Sequence, residues 1–181
     1  MTVLPKSAWK EFGWPMRLDV LNDMPAEIFV DSVGWVFEHS PWVARRAAAG
    51  RPFADVEALH RAMARQVDIA SPDEQLALLR AHPDLGTRAK LGDASAGEQA
   101  GAGLGQLTPE EFELFARGNR SYTIKFGFPF LYAVKGASKH EILLALGKRL
   151  HASREEELAA ALRQVYRIAT FRLEDYLRAE E

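Results

Sequence analysis

His82 is the first of four places in this 181-residue chain where a residue and its neighbours suggest chemistry. It precedes Pro83, and because proline disfavours the helical region for the preceding residue, we expect His82 just past a helix C-terminus. The negative end of that helix favours the imidazolium, so His82 is a candidate acid or base. The alternative is a structural His that caps its own last-turn carbonyls. The remaining histidines are expected at the surface: His39, His60, His140 and His151.

Glu98 is the second candidate, and it follows Ser95 at the spacing of a capping box. In such a box the Ser and Glu side chains each bond the backbone N–H of the other residue, which is a purely structural role. The same helix start would also present the N–H groups of Gly97, Glu98 and Gln99 to an anionic ligand. Gly97 weakens the first turn of the helix, and the close approach of a ligand would explain its presence.

Arg172 is the third candidate because it continues the apolar face of the last helix. That face is predicted to carry Leu158, Leu162, Val165 and Ala169. A buried guanidinium needs a partner, and a ligand carboxylate would fit it with two hydrogen bonds. The alternative is an Arg whose stem packs while its charged end reaches water. The sequence leaves both interpretations open.

The fourth candidate is the run Lys-Phe-Gly-Phe-Pro-Phe at residues 125–130. Its glycine and proline predict that a helix ends at Gly127 and that the chain then runs extended through Pro129. A buried extended backbone must find partners for its N–H and C=O groups, and a small polar heterocycle could supply some of them. The alternative is an aromatic plug that seals the core under a loop.

The elements that position these residues are predicted to be helices. Five capping boxes mark helix starts: Ser71 with Glu74, Ser95 with Glu98, Thr108 with Glu111, Ser138 with Glu141, and Ser153 with Glu156. Apolar residues recur at helical spacing after most of these starts, whereas alternating strand patterns are nearly absent. Residues 130–134 are the best strand candidate and have no evident partner strand. We therefore expect an all-α fold, one domain over residues 1–181, with seven or eight helices.

The amino-acid composition argues against several classes of partner and site. The chain is 48% hydrophobic and 27% charged, with a formal net charge of -2 and no cysteine. Near-neutral charge argues against a nucleic-acid partner and gives no reason to expect a membrane surface. The lack of cysteine excludes disulfides, zinc–thiolate sites and a Cys nucleophile. The N-terminus lacks the plan of a signal peptide, so an intracellular protein is expected.

Together the motifs resemble the 2-oxo-4-hydroxy-4-carboxy-5-ureidoimidazoline (OHCU) decarboxylase family, whose members catalyse the last step of urate breakdown to (S)-allantoin. The resemblance covers roughly residues 20–178 and is carried by the order of its motifs. These are His-Pro-Asp-Leu-Gly at 82–86, Ser-Ala-Gly-Glu-Gln at 95–99, Asn-Arg-Ser-Tyr at 119–122 and residues 125–134.

The resemblance implies an all-α enzyme that uses no cofactor and no metal and forms a homodimer. It implies that His82 is the catalytic proton donor and Glu98 the catalytic carboxylate. Substrate-binding positions follow from the matched motifs: Pro83; Ser95, Ala96, Gly97, Glu98 and Gln99; Phe130, Leu131, Tyr132, Ala133 and Val134; and Arg172.

Two departures from the family pattern bear on these expectations. The loop at residues 86–94 looks shorter than in many relatives, which leaves its path open. The sequence as given ends without a peroxisomal tripeptide and carries no fused hydroxyisourate hydrolase segment, so a stand-alone cytoplasmic enzyme is expected. Two rival functions remain. One is a non-catalytic helical binding module, and the other is a cofactor-free lyase or isomerase acting on another ureido or imidazole compound.

Overall fold

A computed structural model describes residues 16–86 and 93–178, and the chain divides into two compact units. The first unit contains residues up to 81 together with those from 169 onward, and the second contains residues 82–168. The single-domain organisation stays a prediction. None of the helices in the described part of the chain is long and apolar enough to cross a membrane.

The first unit contains five short α-helices, a 3-10 helix and a minimal β pair. Its helices are α1 (Leu18–Asp23), α2 (Ala26–Val33), α3 (Trp42–Ala47), the 3-10 helix Ala48–Gly50, α4 (Val56–Asp68) and α5 (Pro72–Arg80). The strands β1 (Met16–Arg17) and β2 (Leu177–Arg178) pair in parallel, with Met16 opposite Leu177.

The second unit contains four further α-helices and a 3-10 helix. They are α6 (Asp93–Gly101), the 3-10 helix Leu104–Gln106, α7 (Pro109–Phe126), α8 (Lys139–Arg149) and α9 (Arg154–Tyr176), which continues past residue 168 into the first unit. Helix α7 ends at Gly127, whose φ of 82° is left-handed, as the sequence predicted.

Each unit has its own buried apolar side chains. In the first unit they include Leu21, Phe29, Val33, Phe37, Leu59, Met63 and Leu79. In the second they include Phe115, Tyr122, Phe126, Phe128, Phe130, Ile142 and Leu146. The aromatic residues of the 125–130 run are therefore buried in this core, with the Phe126 and Phe128 ring centroids 6.2 Å apart.

The all-α prediction is confirmed, with nine α-helices among the described residues rather than seven or eight. Helix α1 has six residues and begins without a capping side chain, and no sequence signal marked it. Residues 130–134, the best strand candidate, form no strand.

Four of the five predicted capping boxes are confirmed. Ser71, Thr108, Ser138 and Ser153 each accept a bond from the backbone N–H three residues later, and the Glu there bonds back. The returned bond has an electrostatic consequence, since the backbone N–H of Ser138 lowers the pKa of Glu141 below its ordinary value.

Candidate functional site

His82 lies where its sequence placed it, just beyond the C-terminus of α5. That helix ends at Arg80, Ala81 caps it, and His82 follows with 7% of its surface exposed. Pro83, the next residue, is half-buried. Desolvation raises the pKa of the Asp84 carboxyl above its ordinary value. Both interpretations of His82, a cap of its own last-turn carbonyls and a reactive acid, place it at this helix end.

The turn at residues 82–86 requires glycine at its end. Gly86 has a φ of 67°, and a Cβ there would lie 3.1 Å from the Leu107 side chain and 3.2 Å from that of Phe115. Any larger residue would be strained and would push against this packing. Gly86 therefore fixes how the turn enters the core of the second unit.

Two buried amide side chains hold this turn. The Gly86 N–H donates to Oε1 of Gln99 at 3.0 Å, and Nε2 of Gln99 donates to the Asp84 carbonyl at 3.4 Å. Nδ2 of Asn119 donates to the Leu85 carbonyl at 2.8 Å. The turn that carries His82 is thereby fastened to α6, which carries Glu98, and to α7.

Helix α6 corrects one prediction. It begins at Asp93, two residues before Ser95, so Ser95 lies inside the helix and does not cap it. The N–H groups of Gly97, Glu98 and Gln99 consequently point along the helix toward preceding carbonyls, and they are not the open donors that the sequence predicted. The capping spacing was present, but the helix starts earlier.

The predicted substrate positions on α6 differ in exposure. Ser95 and Gln99 are buried, Glu98 is half-buried, and Ala96 and Gly97 are exposed. No described atom lies within 4 Å of the place where a Cβ would stand at Gly97, so the fold itself gives no steric reason for glycine there. The unusual loop predicted at residues 86–94 lies mostly outside the described residues.

The stretch at residues 130–134 runs without a turn or bend and is almost fully buried. Phe130, Leu131, Ala133 and Val134 are each at most 4% exposed, and Tyr132 is half-buried. Among the described residues, three of its backbone groups have partners. Arg149 donates to the Leu131 carbonyl at 2.6 Å, the Ala133 N–H donates to Gln164 at 2.9 Å, and the Val134 carbonyl accepts from Ala137 at 2.9 Å. The rest find no partner there, which is uncommon for buried backbone.

A buried charged network lies beside this stretch. Arg149 binds the Glu157 carboxylate through Nε at 2.9 Å and also through Nη2. The Tyr122 hydroxyl donates to the same carboxylate, and burial, followed by this bond, raises the pKa of Tyr122 well above its ordinary value. The phenol therefore stays protonated as a donor, and the buried carboxylate is balanced by a cation and a hydroxyl.

The buried face of α9 includes the predicted Val165 and Ala169, but it differs from the prediction in the first turns of the helix. Leu158 and Leu162 are only half-buried, whereas Glu157 and Ala161 are 1% and 0% exposed. Because a hydropathy pattern assigns a carboxylate to the surface, the burial of Glu157 could not be predicted from the sequence.

Helix α7 connects the two halves of the candidate site. Asn119 holds the Leu85 carbonyl, and Tyr122, three residues later on the same face, packs against Phe130 with ring centroids 5.3 Å apart. Neighbouring positions on one helix therefore contact both the His82 turn and the 130–134 stretch. In the sequence, Asn119 stands at helical spacing between Phe115 and Tyr122, and a polar residue on that otherwise aromatic face was the available signal of its role.

Arg172, in the first unit, is bound to a carboxylate of the chain itself. Its Nη2 lies 2.9 Å from Oε2 of Glu38, and its Nη1 donates to the Val36 carbonyl at 3.2 Å. The Arg172 side chain is 3% exposed, so the predicted alternative in which its charge reaches water is wrong. The pairing of Glu38 with Arg172 was not predicted, because Glu38 lies in a turn far from Arg172 along the chain.

Two further observations concern His60 and the possibility of a metal site. His60, expected at the surface, is half-buried and lies 3.1 Å from Oγ1 of Thr170 in a hydrogen bond. Within residues 16–86 and 93–178, no group of three or more His, Asp or Glu side chains is arranged to hold a metal ion.

A family model, known relatives and a solved structure each match most of this chain. The OHCU decarboxylase family model matches residues 22–174. The 2-oxo-4-hydroxy-4-carboxy-5-ureidoimidazoline decarboxylase of Haloferax volcanii is 44% identical over 165 residues, which is 91% of this chain and 98% of that protein. The uric acid degradation bifunctional protein of Bacillus subtilis is 46% identical over 160 residues, which is 88% of this chain but only 32% of that protein. The chain thus spans about a third of the bifunctional relative's length. A crystal structure of (S)-allantoin synthase has a TM-score of 0.72 and 33% identity, and the match covers 90% of this chain and 54% of that one.

Proposed function

Because the chain belongs to the OHCU decarboxylase family, and is thus a carboxy-lyase, we propose that His82 and Glu98 catalyse its conversion of OHCU to (S)-allantoin and CO2. The resemblance also supports a cytoplasmic homodimer as the working form. These residue roles and the assembly go beyond family membership, and each is open to experiment.

The observation that best supports a ligand in the second unit is the open backbone at residues 130–134. Several buried N–H and C=O groups here have no hydrogen-bond partner among the described residues. Burying such groups costs free energy unless another molecule bonds them. A small heterocycle with ring nitrogens, a carbonyl and a ureido group offers matching donors and acceptors. This is the ligand class on which the family acts.

The chemistry of the substrate sets what the protein must do. One ring carbon carries both a carboxylate and a hydroxyl and adjoins a C=N bond. When the bond to the carboxylate breaks, CO2 leaves and the electron pair moves into that C=N. A proton must then be added from a single face to yield one enantiomer. The protein therefore has to hold the carboxylate, orient the ring and deliver one proton.

His82 and Glu98 suit the last two tasks. His82 is buried just beyond the C-terminus of α5, and we assign it as the acid. Glu98 is half-buried on α6, and we assign it to bond the substrate's hydroxyl or ureido group. The Gln99 bonds to the His82 turn hold these two elements in a fixed arrangement, as a site for directed proton transfer requires.

We propose Arg172 as a ligand-binding residue on the family resemblance. Its bonds to Glu38 and to the Val36 carbonyl fix the orientation of the guanidinium. A preoriented guanidinium loses little side-chain entropy when an anion binds it.

The activity is tested by the handedness of the product. OHCU is generated in place from urate with urate oxidase and hydroxyisourate hydrolase, and this protein is then added. We expect a rapid circular dichroism signal of (S)-allantoin, because uncatalysed decay gives racemic allantoin without lasting dichroism. An unchanged slow decay with folded protein would reject the proposal and favour another ureido compound or a binding role.

Replacing Glu98 with Ala is expected to slow turnover by about tenfold to 100-fold, the effect of losing one charged hydrogen bond to the substrate. Stability should hardly change, because position 98 is inside α6, where Ala is the best helix former. Steady-state kinetics and thermal melting measure the two effects. Glu113→Ala, at an exposed position of α7, is the matched control and should retain full activity. Equal activity of the two variants would remove Glu98 from the site.

A further inference from the structure

Two side chains without an assigned role hold one edge of the stretch at residues 130–134. Arg149 donates to the Leu131 carbonyl at 2.6 Å, and Gln164 accepts from the Ala133 N–H at 2.9 Å. In an extended chain, the N–H and C=O of one residue point to the same side, and those of the next residue point to the opposite side. The Leu131 carbonyl and the Ala133 N–H therefore lie on a common edge.

The opposite edge presents the N–H and C=O of Tyr132. The Tyr132 ring stacks on that of Phe130 with centroids 6.2 Å apart, as expected for residues two apart on one face of an extended chain. Neither backbone group of Tyr132 has a hydrogen-bond partner among the described residues. One residue thus offers an adjacent donor and acceptor, the pattern that pairs with a ureido or lactam group.

Arg149 is itself fixed in place. Its guanidinium binds Glu157, which is 1% exposed and also accepts from Tyr122. The same guanidinium lies 4.7 Å above the centre of the Phe130 ring. An Arg that is bound on one side and stacked on another holds the Leu131 carbonyl in a single geometry.

These two contacts also change how strongly the N–H and C=O of Tyr132 can form hydrogen bonds. The Leu131 carbonyl and the Tyr132 N–H belong to one peptide group, so a cation on that oxygen makes the N–H a stronger donor. The Tyr132 carbonyl and the Ala133 N–H belong to the next peptide group, so the acceptor on Gln164 makes that carbonyl a stronger acceptor. Both effects therefore strengthen the hydrogen bonds that the Tyr132 backbone can make to a ligand.

We infer that Arg149 and Gln164 are positioning residues for substrate binding, which they serve by holding and polarising the peptide groups on either side of Tyr132. This inference rests on the proposed function, since it concerns how the same ligand is bound. Neither residue needs to touch the substrate. Their removal should therefore weaken binding more than it slows the chemical step.

Substitutions at Gln164 test the contact with Ala133. Gln164→Met keeps the length of the side chain but loses the acceptor, and we expect KM to rise about threefold to tenfold with kcat little changed. Gln164→Glu keeps an acceptor and should restore KM toward the wild-type value. Gln75→Met removes a similar bond to a backbone carbonyl, that of Val67 in the first unit, and should leave KM unchanged.

Arg149→Lys tests the other contact. A Lys keeps a cation beside Glu157, but a single ammonium cannot also reproduce the fork that reaches Leu131, so KM should again rise. Amide NMR supplies a readout that does not depend on activity. We expect the Tyr132 amide proton to move upfield in Arg149→Lys, and the Ala133 amide to exchange faster with solvent in Gln164→Met than in Gln164→Glu.

The outcomes separate this inference from the proposed function. If the wild-type protein makes no (S)-allantoin, the function fails, and the inference about its substrate fails with it, whatever the amide spectra show. If the wild type is active but KM is unchanged in both Gln164→Met and Arg149→Lys, the inference alone is overturned. Equal impairment of Gln164→Met and Gln164→Glu would also overturn it, because only the former loses the acceptor.

Discussion

Replacing His82 with Gln is expected to lower turnover of OHCU by about 100- to 10,000-fold, the usual contribution of a general acid. This corresponds to about 3–5 kcal/mol of activation free energy. Glutamine keeps a hydrogen-bonding group of similar reach but cannot release a proton to carbon, so binding should persist while the chemical step fails. The measurement is the initial rate of the (S)-allantoin dichroism signal at saturating substrate.

A second His substitution serves as the control for this experiment. His140 is exposed in the first turn of α8, and His140→Gln should retain wild-type turnover. Far-ultraviolet dichroism establishes that both variants are folded. Near-normal turnover in folded His82→Gln would show that another group delivers the proton, and Glu98 would then become the leading candidate.

Replacing Glu38 with Leu is expected to lower the free energy of unfolding by about 3–5 kcal/mol, the cost of removing one partner of a buried ion pair. The reason is that Arg172, with 4% of its surface exposed, would lose its carboxylate in a place where water cannot fully replace it. For a chain of this size the loss corresponds to a fall in melting temperature of about 6–20 °C. Urea unfolding and thermal melting both report it.

Two comparisons make this result specific to the buried pair. Glu27 and Arg45 form an exposed pair at 3.8 Å, and Glu27→Leu should cost less than about 1 kcal/mol. The double variant Glu38→Leu with Arg172→Met removes both charges and should recover most of the lost stability. If Glu38→Leu were as mild as Glu27→Leu, or if the double variant recovered nothing, the ion pair would not be what stabilises this part of the first unit.

Much of the fold could be predicted because its signals are local. The bonds at Ser71, Thr108 and Ser138 join residues three apart, so the sequence contains both partners side by side. The same spacing failed at Ser95 because a capping pair specifies which groups can bond and not where a helix starts. The exit from α7 at Gly127 was also predictable, since the left-handed conformation there favours glycine.

The partners of the buried polar groups could not be predicted in this way. Tyr122 meets Glu157 across 35 positions, and Ala133 meets Gln164 across 31. Such pairs arise only when helices pack, and their polar members, Glu157 and Gln164, look like ordinary surface residues in the sequence. The motif resemblance identified His82 and the 130–134 stretch as site candidates, but it could not show what holds them in place.

The position of Asn119 and Tyr122 on α7 has a consequence for motion. A helix of 18 residues moves largely as one stiff body, and these two side chains join it to the His82 turn and to Phe130. A sliding or rotation of α7 would displace the proposed acid and the proposed ligand-binding backbone together, so the two should move in concert. Relaxation measurements on the backbone amides near residues 85 and 130 should then report one shared exchange rate.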